Sequence, residues 1–504
     1  METKLRSGMD RIAAAVCWGL AIAALLAMFI SANSGSIWFD EAFSLGMIRL
    51  PYAEIIRRTA TDVHPPLYYF ILKFFVDAAR ALAGGLSVTV VAKCVSAIPQ
   101  LLLMLLAATR VRRTWGNLTA ALFALCAAAM PKMLSYGVEI RMYSWALLFV
   151  TASYIWSHEV LRSGGFRNWC LFTLFSLAAA YTHHFACATV AFTYLFVLIR
   201  CLFYDRARLK GWLLCAGATV IGYLPWLLVS VRQLRMVGES YWISPITKRG
   251  LASILEYPFR SGGGRIIAWS IALFLVLSYL ALVVGAIRRS IRRRDRDETD
   301  ALLFCVNGAV NWGGTVLLGI AASLIFRPVF VSRYMVPALG SLWLGYAVLL
   351  GRLEGRARYL RLAAAAVLLC AALLNVRSFI AAELRMKNAF EKLEARLETI
   401  EEDARFVASD THMSGTIPEL TGRDCYLWNQ KPLQSVYSDM RHVYETAEIR
   451  NWLLDGQPVY FVERLPSAKP SAAEAFDGSG IAYSDLGAYA LERYSLKIYR
   501  LEAA

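Results

Sequence analysis

Apolar runs long enough to cross a bilayer recur from one end of the chain to the other. The first runs from Ile12 to Ile30, and the others fall at about 88–109, 116–135, 142–158, 168–183, 186–203, 211–231, 265–287, 301–326, 334–351 and 362–379. About twenty helical residues, rising 1.5 Å each, span a hydrocarbon core of about 30 Å, so the pattern predicts an all-α polytopic membrane protein of about eleven spans. The first run sits where a signal peptide would, but no small-residue cleavage pattern follows it, and it reads as a retained helix.

Polar positions set the orientation. Lys4, Arg6 and Arg11 precede the first span, which puts the N-terminus on the cytoplasmic side and residues 32–65 in an outer loop. Within that loop, Ile48, Tyr52, Ile55 and Ile56 face away from Arg57 and Arg58, predicting an interfacial helix over 48–60. Pro65 and Pro66 suit the first turn of the next helix, with Asp62 or Thr61 as its cap. If Leu67 to Leu82 crossed the membrane, the basic clusters near 110–113, 206–210, 288–296 and 352–361 would all lie outside. The segment is therefore expected to be a re-entrant or interfacial helix carrying Lys73 and Asp77. On that parity the short outer turns hold Glu139 and Arg141, His183 and His184, and Arg327 and Arg333, while the inner loops are merely basic.

Past Phe379 the pattern changes. Glu383 to Glu402 reads as a charged amphipathic helix with Leu384, Phe390, Leu393 and Leu397 on one face. Strand-like pieces follow at Arg405–Ser409, Cys425–Trp428, Pro458–Glu463 and Tyr494–Leu501, with a helical pattern between Asp439 and Leu454 and a loop at Pro466–Ser471. The expected organisation is a transmembrane domain over 1–380 and a small extracytoplasmic α/β domain over 381–504.

Composition agrees with this picture and narrows it. The 504 residues are 58% hydrophobic, more than a soluble globule carries. A net charge of +16 would point to nucleic acid in a soluble protein; here the basic residues sit in short inter-span loops as orientation signals, and no nucleic-acid partner is expected. The ten cysteines are scattered singly, without a CxxC pair, and read as small core residues.

Ionisable groups near a bilayer are costly, so the outer ones are the candidates for chemistry. Asp40 and Glu41 cap a helix N-terminus in the plain reading; in the functional one they supply a general base or a metal ligand. Asp62 and His64, two residues apart, extend this to a candidate divalent-ion set of Glu41, Asp62 and His64, and His64 equally suits donation to a phosphate. Glu139, Arg141 and Tyr143 open a span where an anion would be favoured, and Arg327 and Arg333 flank a short connection with the planar fork that suits phosphate. His183 and His184 are either plain turn residues or site residues. Tyr241 and Trp242, like Tyr223 and Trp226, mark an interface belt or a sugar-stacking platform.

Taken together, the DE pair after the first span, DxHPPLYY, ExRMY, YTHH, YxPW, YWIxP and RPVFxxRY resemble the GT-C glycosyltransferases. The likeness is nearest to bacterial relatives of the protein O-mannosyltransferases and of the lipid A aminoarabinose transferases, and it covers Trp38 to Pro337. It implies a GT-C-like fold and an inverting transfer of sugar from a polyprenyl-phosphate donor. The acceptor would be a glycan, lipid or protein, at the outer face of the bacterial cytoplasmic membrane. By the same resemblance Asp40, with Glu41 beside it, matches the catalytic acid of the first outer loop. Asp62 and His64 match the second acidic motif, and Arg333 with Arg327 matches the holder of the lipid phosphate. His64 before the prolines is the mannosyltransferase-like choice, where aminoarabinose transferases carry Lys. The competing class is a transporter or flippase of lipid-linked sugars, for which Asn307 and Asn311 inside a span are the hint.

Overall fold

The computed structural model describes every residue except Met1, 240–242, 294–295, 354–356, 430–440 and 467–469. Contacts divide the chain into two compact units. The first comprises Met1–Ser31, Val63–Tyr68 and Lys93–Ile380; the second comprises Ala32–Asp62, Tyr69–Ala92 and Ala381–Ala504.

The chain is the helical, multi-pass membrane protein expected, carrying a small C-terminal sheet. Among the described residues eight helices are long and apolar enough to cross a membrane, from Gly8–Ser31 to Arg358–Leu397. The segments expected as spans at 116–135, 142–158 and 168–183 are not among them; they form the helices Asn117–Ala129, Tyr143–Arg162 and Phe166–Ala180. The break in the first has a local cause. Pro131 lacks an N–H and pushes Met130 into the extended region, and Lys132 then turns left-handed (φ +50°) before a short helix, Met133–Val138.

In the first unit the helix Val336–Gly351 lies at the centre, with nearly every side chain buried. Pro337 starts it without losing a needed hydrogen bond. Its neighbours approach closely through small residues, as membrane helices do in the absence of a hydrophobic drive between them. A Cβ on Gly308 would run into the Ser341 backbone, and one on Gly340 into Thr151. Buried polar groups bridge the helices: Tyr154 donates to the Phe304 carbonyl at 2.6 Å, and Trp343 Nε1 to the Pro258 carbonyl at 2.9 Å. Asn311, one of the two intramembrane asparagines, is likewise held by Thr193 at 3.0 Å.

In the second unit, the interfacial helix expected over 48–60 is two helices, Phe39–Ile48 and Tyr52–Ala60, because Pro51 interrupts the ladder. Thr61 closes the second of these, its hydroxyl donating to the Arg58 carbonyl at 3.0 Å. That following helix runs Leu67–Leu82 and starts after both prolines. Its sixteen residues are too few for an upright crossing. Lys73 is tied to the Ile48 carbonyl and to Asp77, each at 3.0 Å.

The C-terminal residues form one mixed sheet of β1 (Arg405–Ala408), β2 (Cys425–Trp428), β3 (Arg441–Val443), β4 (Val459–Leu465), β5 (Ile481–Ala490) and β6 (Ser495–Ala503), in the order β3-β2-β1-β4-β6-β5. Strands β1 to β4 pair in parallel, and β6 runs antiparallel to both β4 and β5. Alternation sorts the core onto two faces. Phe406, Tyr460 and Val462 join Phe390, Leu393 and Leu397, while Val407 and Phe461 join Trp428 and Phe476. Leu384, expected on the same helical stripe, is exposed, since its spacing from Phe390 carries it around the helix. Of the helical pattern between Asp439 and Leu454, Asp439 lies outside the described residues and the helix itself is Thr446–Leu454. The loop Pro466–Ser471 is described only in part.

Candidate active site

In the first unit, four separate turns meet. The helix Phe166–Ala180 ends at Tyr181, whose carbonyl accepts the Leu67 N–H at 3.1 Å and so pins the DxHPPLYY segment to the YTHH turn. His183 is the N-cap of the helix His184–Phe203, and its Nδ1 accepts the Phe185 N–H at 3.1 Å. With Nδ1 an acceptor, the neutral ring carries its proton on Nε2, which is left to donate.

Around His183 stand the rings of Tyr334 at 5.1 Å, Tyr143 at 5.8 Å and His64 at 5.8 Å between centroids. The Arg333 guanidinium lies 5.9 Å from the ring centroids of both Tyr143 and Tyr334. Arg141 and Glu139 are buried in the turn that opens Tyr143–Arg162, where the Arg141 N–H donates to the Glu139 carbonyl at 2.6 Å. Tyr136 joins from the short helix before it and accepts the Tyr257 hydroxyl at 3.2 Å.

The electrostatics follow from this crowding. Burial, then His64, His184, Arg141 and Arg333, hold the His183 imidazole well below its ordinary range, so it is neutral at pH 7. A neutral N–H donor with two arginines near enough to act on it is an arrangement for oxygen atoms of an anion. Beside it lies a cavity of about 400 Å³ with His64, His183, His184 and Gln233 at one end and Phe185, Leu234, Leu318 and Phe326 along its apolar walls. His184 Nε2 and Gln233 Oε1 are 3.1 Å apart. Arg327 is half-buried at the start of the segment that leads to Arg333.

The second unit holds Asp40, Glu41 and Asp62. Asp40 is half-buried in the first turn of Phe39–Ile48. Glu41 is buried, and its Oε2 accepts the Trp38 N–H at 3.1 Å. Asp62 is half-buried just beyond the helix Tyr52–Ala60, its N–H donating to the Thr59 carbonyl at 3.2 Å.

His412, in the helix Thr411–Thr421, was not singled out by the sequence. Its ring packs 4.4 Å from that of Phe39, and its Nδ1 lies 3.7 Å from Asp410, which also pairs with Arg464. Burial lowers its pKa, against the opposing pull of Asp410 and Asp40. The only signal available was one histidine in an otherwise ordinary polar stretch, and nothing local marks it.

Among the described residues no group of three or more His, Cys, Asp or Glu side chains is placed to hold a metal ion. The set Glu41, Asp62 and His64 makes no such group, and one Glu41 oxygen is engaged by its own helix. Tyr241 and Trp242 lie outside the described residues.

Solved structures of one protein illustrate the shared fold. ArnT from Cupriavidus metallidurans in the apo state superposes with a TM-score of 0.57 at 13% identity, over 95% of this chain and 97% of that one. The same protein bound to undecaprenyl phosphate gives 0.56 at 14% identity, with the same coverage. ArnT is a lipid A aminoarabinose transferase. No protein-family model matches the chain, and no curated protein sequence matches it. At such identities the shared property is the fold, and function has to be argued from the site.

Proposed function

We propose that this chain is a glycosyltransferase that moves a sugar from a polyprenyl-phosphate donor to an acceptor at the outer face of the cytoplasmic membrane. The observation that carries the reading is the grouping of His64, Tyr143 and Tyr334 around His183, with Arg333 against both tyrosines, Arg141 near enough to act on the imidazole, and an apolar cavity alongside. A lipid phosphate needs both: fixed N–H donors for its oxygens and apolar walls for its chain. The shared fold adds support, since ArnT has been solved with undecaprenyl phosphate bound.

In this reading Arg333 and Arg141 hold the phosphate, and the His183 Nε2–H adds a neutral hydrogen bond. The acceptor's hydroxyl or amine attacks the anomeric carbon, the bond from that carbon to the phosphate oxygen breaks, and the lipid phosphate leaves with the electron pair. Its developing charge meets donors already in place, which is where such catalysis gains most. Asp40 takes the acceptor's proton. One displacement inverts the anomeric carbon.

Asp40 is assigned this task ahead of Glu41 because Glu41 is buried and spends an oxygen on the Trp38 N–H. Glu139 and Tyr143 position the arginines, and His64 and His184 line the approach. No step is routed through a metal. The domain reading is a membrane-embedded catalytic part over 1–380 with an extracytoplasmic part over 381–504.

The test is binding of undecaprenyl phosphate to the purified full chain. Saturable binding that weakens tenfold or more in Arg141→Gln and Arg333→Ala supports the reading; equal binding by all three proteins overturns it.

A further inference from the structure

The same helices that begin at the His183 cluster end at a second cavity. Helix His184–Phe203 has twenty residues, so its far end lies about 30 Å from its start. There, a space of about 220 Å³ is lined by Arg162, Arg200, Arg352, Asp300, Asn307 and Trp115, among others. None of these residues takes part in the proposed transfer.

Among the described residues, three buried polar atoms on this lining have no hydrogen-bond partner: Asn307 Oδ1, Arg200 Nε and Arg352 Nε. Asn307 is only 1% exposed. An unmet buried polar group costs about 1–3 kcal/mol, so their joint presence on one wall calls for an occupant. Each arginine gives one terminal nitrogen to a carboxylate: Arg200 to Asp300 at 2.6 Å, Arg162 to Glu159 at 3.4 Å and Arg352 to Glu298 at 3.5 Å. The remaining N–H groups are available to a second anion. The Asn307 oxygen asks for the opposite, a hydrogen-bond donor. The Trp115 ring, stacked on Phe304 at 5.5 Å, adds an apolar wall.

Arginine forks for a phosphate, an amide oxygen for a hydroxyl and an aromatic wall for C–H groups define one kind of ligand. We propose that this cavity binds a phosphate diester bearing free hydroxyls, the chemistry that a phosphoglycerol lipid headgroup presents. The volume holds about seven waters' worth of matter, enough for such a headgroup. This end of the bundle also carries the basic clusters near 110–113, 206–210 and 288–293. Such clusters concentrate anionic headgroups, and basic pockets between membrane helices bind them. The site is independent of the transfer reaction.

The experiment is native mass spectrometry of the full-length protein in detergent, titrated in parallel with phosphatidylglycerol, phosphatidylcholine and soluble glycerophosphoglycerol. Binding of phosphatidylglycerol at least tenfold tighter than phosphatidylcholine is expected, lost tenfold or more in Arg352→Gln and in Asn307→Leu. Because Asn307→Leu changes a buried position, melting is followed alongside, and Arg352→Gln, in a half-buried residue past a helix end, carries the test if the first variant fails to fold. Soluble headgroup binding as tightly as the lipid supports the site and assigns it to an aqueous diester. Equal binding of the two lipids with no binding of the soluble diester, or wild-type phosphatidylglycerol binding by Arg352→Gln, overturns the proposal.

Discussion

His64 and His183 face each other with ring centroids 5.8 Å apart, and the Nδ1 of His183 is already engaged by the Phe185 N–H. The pair joins the turn before one helix to the turn before another, and the N–H on His183 Nε2 points away from its own cap. Two consequences of that geometry, with Arg333 beside it, are open to measurement, as are one of the Asp40–Glu41 pair and one of the helix packing.

His183 is held neutral, its pKa well below the ordinary 6.5. Above pH 6.5 folded and unfolded chains are both neutral at this residue and it adds no pH dependence. As pH falls below 6.5 the unfolded chain takes up a proton that the folded one refuses, so stability drops by up to about 1.4 kcal/mol per pH unit until the folded pKa is reached. Replacing His183 by Asn keeps an oxygen to cap Phe185 and removes the titration. Melting of the two proteins in detergent between pH 7.5 and pH 5 is expected to diverge, the wild type losing more; parallel curves would count against a buried neutral imidazole.

Arg333→Ala removes a planar pair of donors from the proposed phosphate. A charge-assisted hydrogen bond of about 1.5–3 kcal/mol corresponds to a rise of about 10- to 100-fold in the donor's KM. Arg333→Lys keeps the charge without the fork and is expected to fall between. Steady-state kinetics over a donor series decides this, and an unchanged KM in the alanine variant removes Arg333 from the phosphate site.

Asp40 and Glu41 are adjacent but are assigned different work. Asp40→Asn is expected to lower kcat by about 10²- to 10⁴-fold with donor binding intact. Glu41→Gln weakens the bond to the Trp38 N–H and is expected to cost about 1 kcal/mol of stability while retaining turnover. Measuring kcat and melting on both variants separates the roles, and the reverse pattern would exchange them.

Gly308 lets two helices touch, since a Cβ there would meet the Ser341 backbone. Gly308→Ala is expected to cost about 1–3 kcal/mol through overpacking and to lower melting without moving the donor's KM. A variant that melts like the wild type would mean that these helices separate more easily than the structure describes.

What the sequence disclosed, and what it hid, follows from the range of each interaction. The convergence of Arg141, His183 and Arg333 was legible because orientation signals and span lengths act on whole segments. They put all three turns on one side before any contact was known. Span boundaries were less legible: Met130-Pro131-Lys132 ends a helix by backbone geometry, while hydropathy runs straight through it. The partner of Glu41 was ambiguous, since a carboxylate early in a helix suits capping and catalysis alike. His412 was invisible, because what distinguishes it is Phe39, far away in sequence and 4.4 Å away in space. Asn307 was noticed as a polar residue in a span, yet its placement on a wall shared with Arg200 and Arg352 depends on three helices at once.

Covalent transfer from a lipid-phosphate donor can be read in a single transfer assay. Purified wild-type chain and Asp40→Asn are each incubated with a radiolabelled polyprenyl-phosphate sugar and a membrane extract, and the label is followed into non-donor products. The account predicts label in an acceptor with the wild type and none above background with Asp40→Asn. Label that crosses the bilayer while remaining on its lipid, or equal transfer by the two proteins, would contradict it.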